Sequence, residues 1–468
     1  MYNPKSKFQL KWKKNQGVIA ILMTISLPVL LIIVGLAVDS AMAYGLKAKL
    51  SSAVDAASLA AAKAVYNGEA AAVMNANKYF DANFPTDFFY STLVGRPKVN
   101  FAYSSEGDIT IDVSATVNMP TFLIRLAGIN DIDIFSSAQT VRRVVDLSLV
   151  VDNTTSLVNG TNVTQDVIDR SKDFIGNFHQ NLDRIALVKY AYGAEVPVPL
   201  EHNRGFNKAN IETEIDAFDF GSSSSPQYTN SSEGMWRAID QLVTANNPAS
   251  LRVIVFFTDG SPNTFSSNFS FNGGTDDHIG SIRSGDRRSG TPYGMWNVDS
   301  VAERASTPWY FRSRNNYIYQ KLSGFPQYYN AHDPSATNFL VINPNHPRRP
   351  VTDFTPGRRN SSSSLYQKVN RISRNLPEDM AEYARKNGIF VLTLGLGASL
   401  TQQTGPDNER GDEMLMRMAN DPKMLNYPAL AGDFKANQPQ GVYCYAVDKY
   451  ALAPCFSEML AIIIRLTL

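Results

Sequence analysis

The longest uncharged run in the chain contains "GVIAILMTISLPVLLIIVGLAV", 22 residues from Gly17 to Val38, against about 20 apolar residues needed for a helix to cross a hydrocarbon core. Past it, Leu46, Leu50, Val54, Ala57, Ala61 and Ala64 recur at helical spacing, with Lys47, Lys49, Asp55 and Lys63 on the other side, so the same helix is expected to continue to about residue 66. The pattern then shifts to period two. Apolar and polar residues alternate over 98–103 and 108–117, and a third strand is expected over 132–142. Between them "PTFLIRLAG" opens with proline and closes with glycine, the punctuation of a short helix. After Arg143 strands and helices alternate: strands at 146–151, 185–191, 252–258, 389–395 and 442–447, and helices at about 162–182, 232–244 and from about 450. That alternation predicts a mostly parallel sheet covered by helices.

These patterns divide the chain into a basic tail (1–16), a membrane-crossing helix (17–38), a helical stem (39–69), a small α/β module (70–143) and a large α/β domain (144–468) interrupted by an insertion at 261–364. Lys5, Lys7, Lys11, Lys13 and Lys14 precede the apolar run, which places the tail in the cytoplasm and the rest of the chain outside. A secretory signal peptide is the competing reading, since "AMA" at 41–43 has the small-x-small cleavage pattern. Its apolar region would exceed the 7–15 residues or so usual for such signals, which favours the anchor. The small side chains of the stem suit close helix packing in an assembly, or simply a helix of high propensity.

With 44 basic and 43 acidic residues, there is no global field to draw nucleic acid or anionic lipid. Cys444 and Cys455 are the only cysteines, with no Cys-x-x-Cys and no neighbouring histidine, which argues against structural zinc. In an oxidising compartment they can pair, with free buried thiols as the alternative. His179, His202, His278, His332 and His346 show no metal-ligand spacing, and neither a Gly-x-Ser-x-Gly elbow nor a phosphate-binding Gly-x-x-x-x-Gly-Lys occurs.

Candidate chemistry lies at the strand ends. In "SLVVDNTTSL" an apolar strand runs into Asp152, with Thr154 and Ser156 at alternate positions; in "VIVFFTDGSPN" a second strand ends at Asp259; and in "YTNSSEGMWRAI" Thr229 precedes a helix. Ligands of open α/β sheets gather at the carboxyl ends of strands, near the point where strand order reverses. Two carboxylates with three hydroxyls form an all-oxygen donor set for a hard divalent cation. The competing reading is turn and cap chemistry, which favours the same residue types.

Two resemblances sharpen this. The segment "NQGVIAILMTISLPVLLIIVGLAVDSAMAYGLKAKLSSAVDAASLAAAKA", notably Gly-Leu-Ala-Val-Asp at 35–39 and Ala-Val-Asp-Ala-Ala at 53–57, resembles the N-terminal part of TadE/TadG-like proteins of the Flp (Tad) pilus-assembly system. That implies a single-pass bacterial inner-membrane protein with a periplasmic body. Leu22 stands five residues after Gly17, where pilin precursors carry glutamate after their processed glycine, a departure that argues against prepilin processing. The loops at Asp152-Thr154-Ser156, Thr229 and Asp259 resemble the metal-ion-dependent adhesion site of von Willebrand factor type A domains, with Thr154 in place of the usual serine. "DRIALVKYAYGAEVPVPL" and "ARKNGIFVLTLGLG" are similar to that family's middle and penultimate strands. The resemblance implies a Rossmann-like doubly wound sheet and a magnesium ion, with manganese or calcium as alternatives. It also implies metal-dependent binding of a protein partner without catalysis, or else the same fold with a degenerate, metal-free site.

The insertion leaves the sheet beside Asp259. It carries Trp296, Trp309, Tyr310, Tyr317, Tyr319 and Tyr328, with 11 basic against 7 acidic residues. It is expected beside the metal-bearing edge, either as an interface or as a cover packing its own aromatics, with "NSSSS" at 360–364 as a flexible exit. The functional expectation is a membrane-anchored pilus-assembly or adhesion component whose partners are pilus-assembly proteins or pilins, with no nucleic acid and no small-molecule substrate. The alternatives are a minor pilin-like subunit, or a hydrolase using Asp152 and Asp259 as metal ligands, for which the sequence offers no adjacent base or nucleophile.

Overall fold

The computed structural model describes residues 16–158, 163–222, 227–284, 293–306, 321–353 and 362–467. The basic tail before residue 16 and the insertion aromatics Trp309, Tyr310, Tyr317 and Tyr319 lie outside them, as do Asn360 and Ser361 of the serine run. The chain divides into two compact units, residues 1–102 with 109–142 and residues 103–108 with 143–468.

In the first unit a single helix, α1 (Gln16–Ala64), carries both the apolar run and the stem. Apart from half-buried Ile32, its large apolar side chains from Val18 to Val38 are exposed, whereas Leu46, Leu50, Ala53, Val54, Ala57 and Ala61 are fully buried. The helix therefore changes environment near Asp39. The buried stripe packs on α2 (Glu69–Asn83), which contributes Ala72, Ala76 and Phe80, and on an antiparallel sheet of β1 (Thr92–Leu93), β2 (Lys98–Tyr103), β3 (Ile109–Pro120) and β4 (Asp131–Arg142). β3 alternates buried and half-buried residues along all 12 positions, because its inward face meets α1 while the other stays near solvent. Small side chains bring helix and sheet together, as in the 2.9 Å contact between the Ser51 and Ser136 hydroxyls. The short helix expected between β3 and β4 is a 3-10 turn, Ile124–Ala127.

Beside a separate two-stranded pair of β14 (Gln403–Thr404) and β15 (Glu409–Arg410), the second unit is built on a six-stranded sheet. Its members are β5 (Val145–Asp152), β6 (Arg184–Tyr190), β7 (Ala194–Val198), β8 (Leu251–Thr258), β13 (Ile389–Leu396) and β16 (Tyr443–Ala446). They lie in the order β16-β13-β8-β5-β6-β7, parallel throughout except for β7, which runs antiparallel to β6. Every residue of β5 is buried, as expected of a central strand covered on both faces, which reads as a continuous apolar run. α3 (Thr164–Ile175), α4 (Lys208–Asp216) and α8 (Leu452–Thr467) cover one face. α5 (Ser231–Val243), α6 (Ser362–Lys386) and α7 (Gly411–Ala419) cover the other. α8 is long and apolar enough to cross a membrane, yet Leu452, Phe456, Met459 and Ile463 are buried in the core. Cys444 of β16 and Cys455 of α8 are disulfide-bonded, with Cα atoms 5.5 Å apart.

The insertion forms its own antiparallel sheet of β9 (Thr264–Phe271), β10 (Asp276–Arg283), β11 (Tyr293–Trp296) and β12 (Leu322–Gly324), in the order β11-β10-β9-β12. Phe265, Phe269, Phe271, Phe325, Tyr329 and Phe339 join the core formed by α5, α6 and the sheet, so these aromatics serve as a cover rather than a displayed surface. Buried ions pin it. Arg349 reaches Glu378 of α6 at 2.6 Å and Glu409 at 3.3 Å, and Glu233 of α5 meets His332 at 2.8 Å and the Tyr329 hydroxyl at 2.5 Å. Ser362, Ser363 and Ser364 open α6, so this part of the serine run is helical and not a flexible exit.

Candidate metal centre

β5 and β8 are neighbours, yet the chain passes from β5 outward to β6 on one side and later returns to β8 on the other. The strand order thus reverses between them, where a crevice opens at their carboxyl ends. Asp152 is the last residue of β5 and Asp259 follows the last residue of β8. Two acids 107 positions apart are thereby brought to one cleft.

The first loop is shaped by Asp152 itself. Its Oδ1 accepts the Thr154 backbone N–H at 2.9 Å, an Asx turn that reverses the strand. Its Oδ2 accepts the Thr258 hydroxyl at 2.7 Å and faces the Tyr190 hydroxyl at 3.3 Å. The loop continues through a 3-10 turn, Thr155–Leu157, and is tied to the second loop by reciprocal contacts. Thr155 N–H donates to the Gln227 carbonyl at 3.3 Å, and Gln227 N–H donates to the Thr155 hydroxyl at 2.7 Å. The Ser156 hydroxyl donates to Asp259 Oδ1 at 2.6 Å, which leaves the Thr154 hydroxyl as donor in its 2.8 Å contact with Ser156. The Ser156 and Thr154 hydroxyls therefore connect Asp259 to the residue whose backbone N–H Asp152 holds.

In the second loop Asn230 caps α5, its Oδ1 accepting the Ser232 hydroxyl at 2.7 Å and the Glu233 N–H at 3.4 Å. Thr229 just before it is buried, and its hydroxyl lies 3.7 Å from where a Cβ on Gly260 would stand, beside Asp259. In the third loop the Asp259 carbonyl accepts the hydroxyl of Ser399, which follows β13, at 2.5 Å. α5 approaches closely because Gly234 has no side chain: a Cβ there would stand 2.7 Å from the Tyr190 ring.

Asp152 and Thr154 are fully buried, Asp259 nearly so, and Ser156 is exposed, so the site opens to solvent on the Ser156 side. Neither carboxylate pairs with a lysine, arginine or histidine among the described residues. Burial first, and then the charge of Asp152, push the Asp259 carboxyl up to about 8. Burial likewise raises Asp152, against the hydrogen bonds of Thr154, Thr258 and Tyr190. Two buried acids lacking a cationic side chain are costly as ions, and a divalent cation would answer that deficit. The donors are carboxylates and hydroxyls, a set suited to magnesium, manganese or calcium rather than to zinc. No cluster of three or more His, Cys, Asp or Glu capable of holding a metal occurs among the described residues, so a cation held here would need the hydroxyls as donors.

Thr258 and Tyr190 are site residues that the loop pattern does not reveal. Their signal is position, since each ends a strand next to β5 and Tyr190 is the register partner of Asp152.

The chain carries a von Willebrand factor type A domain. The family model matches residues 146–273, a range that contains all five candidate ligands. Residues 17–64 match the Flp pilus-assembly TadE/G-like family. No curated protein matches the chain. Among solved structures, proximal thread matrix protein 1 from the mussel byssus, with a zinc-occupied MIDAS motif, is similar at 12% identity and a TM-score of 0.34 over 69% of this chain. The chain spans 46% of that protein. The vWF domain of the type V pili tip protein Mfa5 from Porphyromonas gingivalis is similar at 17% identity and a TM-score of 0.38, covering 70% of this chain and 98% of the other. The pilus adhesin SpaC from Lactobacillus rhamnosus GG is similar at 15% identity and a TM-score of 0.37, covering 83% and 37%.

Proposed function

We propose that this is a membrane-anchored, non-enzymatic binding protein of a Flp-type pilus-assembly system, whose von Willebrand type A domain takes hold of a protein partner through a divalent cation. The observation that carries the reading is the buried Asp152–Asp259 pair, joined through Ser156 and Thr154 and lacking a cationic side chain. Asp152, Thr154, Ser156, Thr229 and Asp259 would hold the ion, with magnesium the first candidate and manganese or calcium next. When bound, the ion supplies a positive centre at the solvent-facing mouth for an acidic group of the partner. Thr258 and Tyr190 orient the inner carboxylate, and the Asx turn fixes its rotamer. No histidine, lysine or cysteine contacts the pair among the described residues, which favours binding over turnover. The apolar first half of α1 anchors the chain in the bacterial inner membrane, with the amino terminus cytoplasmic and the binding domain in the periplasm. Pilus-assembly proteins or pilins are the expected partners, a reading supported by the TadE/G-like match over residues 17–64.

The test is crosslinking in intact cells of wild-type chain and Asp152→Ala, both shown to be folded, with and without a chelator. Partners lost in the variant and on chelation support the reading. An unchanged partner set in both contradicts it.

A further inference from the structure

The first unit touches α1 inside the segment that the anchor reading places in lipid. Leu123, in the turn after β3, packs on Gly35 so closely that a Cβ there would stand 2.4 Å from the Leu123 Cβ. One turn further along, the Asp39 carboxylate accepts the backbone N–H groups of Phe122, Leu123 and Ile124 at 3.0, 3.1 and 2.9 Å, satisfying donors at the start of the 3-10 turn. Gly35 lies three residues before Val38, the end of the apolar run, or about 4.5 Å along the helix axis. The turn is thereby held level with the last turn of the membrane-crossing segment.

What the turn presents at that level is apolar and exposed: Phe122 at 44%, Leu126 at 63% and Ile129 at 46%. A second loop adds to it. Tyr90, 69% exposed, packs its ring 5.6 Å from Phe122, and Phe89 approaches within 3.1 Å of a Cβ position on Gly45. Phe89 and Tyr90 both adopt positive φ, 51° and 59°, a region that non-glycine residues seldom occupy, so the loop holds these two residues in place against local preference. Arg125 is exposed in the same turn. Exposed aliphatic and aromatic side chains with an arginine, beside a helix where its apolar run ends, form the composition of an interfacial belt.

We propose that Phe122, Leu126, Ile129 and Tyr90 form an apron seated in the outer interface of the bilayer, with Gly35 and Asp39 setting its depth. The occupant is lipid, argued from continuity with the exposed apolar face of α1. The proposal rests on the anchor reading above. Its consequence is a fixed tilt and depth for the first unit, which a flexible tether does not provide.

The test uses the full chain, carrying a single environment-sensitive fluorophore on Leu126→Cys, reconstituted in vesicles containing lipid with a nitroxide near the headgroup. Cys444 and Cys455 are disulfide-bonded and do not compete for the label. Val34→Cys, exposed in the span, is the lipid reference. Met74→Cys, exposed on α2 and on the order of 30 Å farther along α1 by helical rise, is the aqueous reference. Quenching at 126 that matches 34, with none at 74, is the expected result, and Gly35→Val should abolish it at 126 alone. Quenching at 34 without quenching at 126 overturns the apron and leaves the anchor standing. Disulfide linkage of two Leu126→Cys chains shielded from the nitroxide would assign the surface to a second copy and also overturn it. No quenching at 34 overturns the anchor reading and the apron with it.

Discussion

Replacing Asp259 by asparagine keeps the shape of the third loop and an acceptor for Ser156, but removes the acid that burial and Asp152 push up to about 8. A carboxyl whose value is raised from 3.8 to about 8 binds a proton in the folded state that the unfolded chain releases. The metal-free protein therefore loses stability as pH rises from about 4 to about 8, and no further above that. At pH 7 the penalty is on the order of 4 kcal/mol, from 1.36 kcal/mol per unit over about three units. Metal-free Asp259→Asn should thus be more stable than wild type at pH 7, by up to about 4 kcal/mol, with the gap closing toward pH 4. Saturating magnesium should narrow the gap, because wild type gains about 2.7 kcal/mol at a hundredfold excess over Kd while the variant gains nothing. Urea unfolding of the full chain in detergent, with chelator or magnesium, reads this through Trp236 and Trp296, which lie in the second unit. A metal-free variant less stable than wild type at pH 7, or a difference that does not change with pH, would refute the reasoning.

Other consequences follow from residues that hold the scaffold. Glu378→Gln leaves Arg349 and Arg417 without the carboxylate they share at 2.6 and 2.7 Å and should lower the unfolding free energy by about 3 kcal/mol or more, measured by urea titration. Cys455→Ser opens the link across 11 residues and should cost about 3 kcal/mol, most of it through the unfolded state; the midpoint shift should match that of wild type under reductant. Gly234→Ala places a Cβ 2.7 Å from the Tyr190 ring and should cost about 1–3 kcal/mol by overpacking, with weaker cation binding by calorimetry because Tyr190 supports Asp152.

The five parallel strands were legible because central strands read as uninterrupted apolar runs, and the carboxylates were legible because each ends such a run. β7 was not, since Ala194–Val198 is short and contains Pro197, which argues against a strand unless it lies at an edge. The sheet of the insertion was hidden by composition: β9 reads "TFSSNFSF", where serine and asparagine resemble a loop although Phe265, Phe269 and Phe271 enter the core. Thr258 and Tyr190 were missed because strand register, not spacing, brings them to Asp152. Asp39 was visible only as part of a family motif, since the backbone groups it holds lie 83 to 85 residues away.

The central claim is that the clustered carboxylates and hydroxyls hold a divalent cation. Isothermal titration of magnesium into the full chain in detergent, beside Asp152→Ala of equal foldedness, tests it most directly. Saturable one-site binding by wild type that disappears in the variant is the predicted result. Binding that survives the substitution, or no binding by folded wild type to magnesium, manganese or calcium, would contradict it.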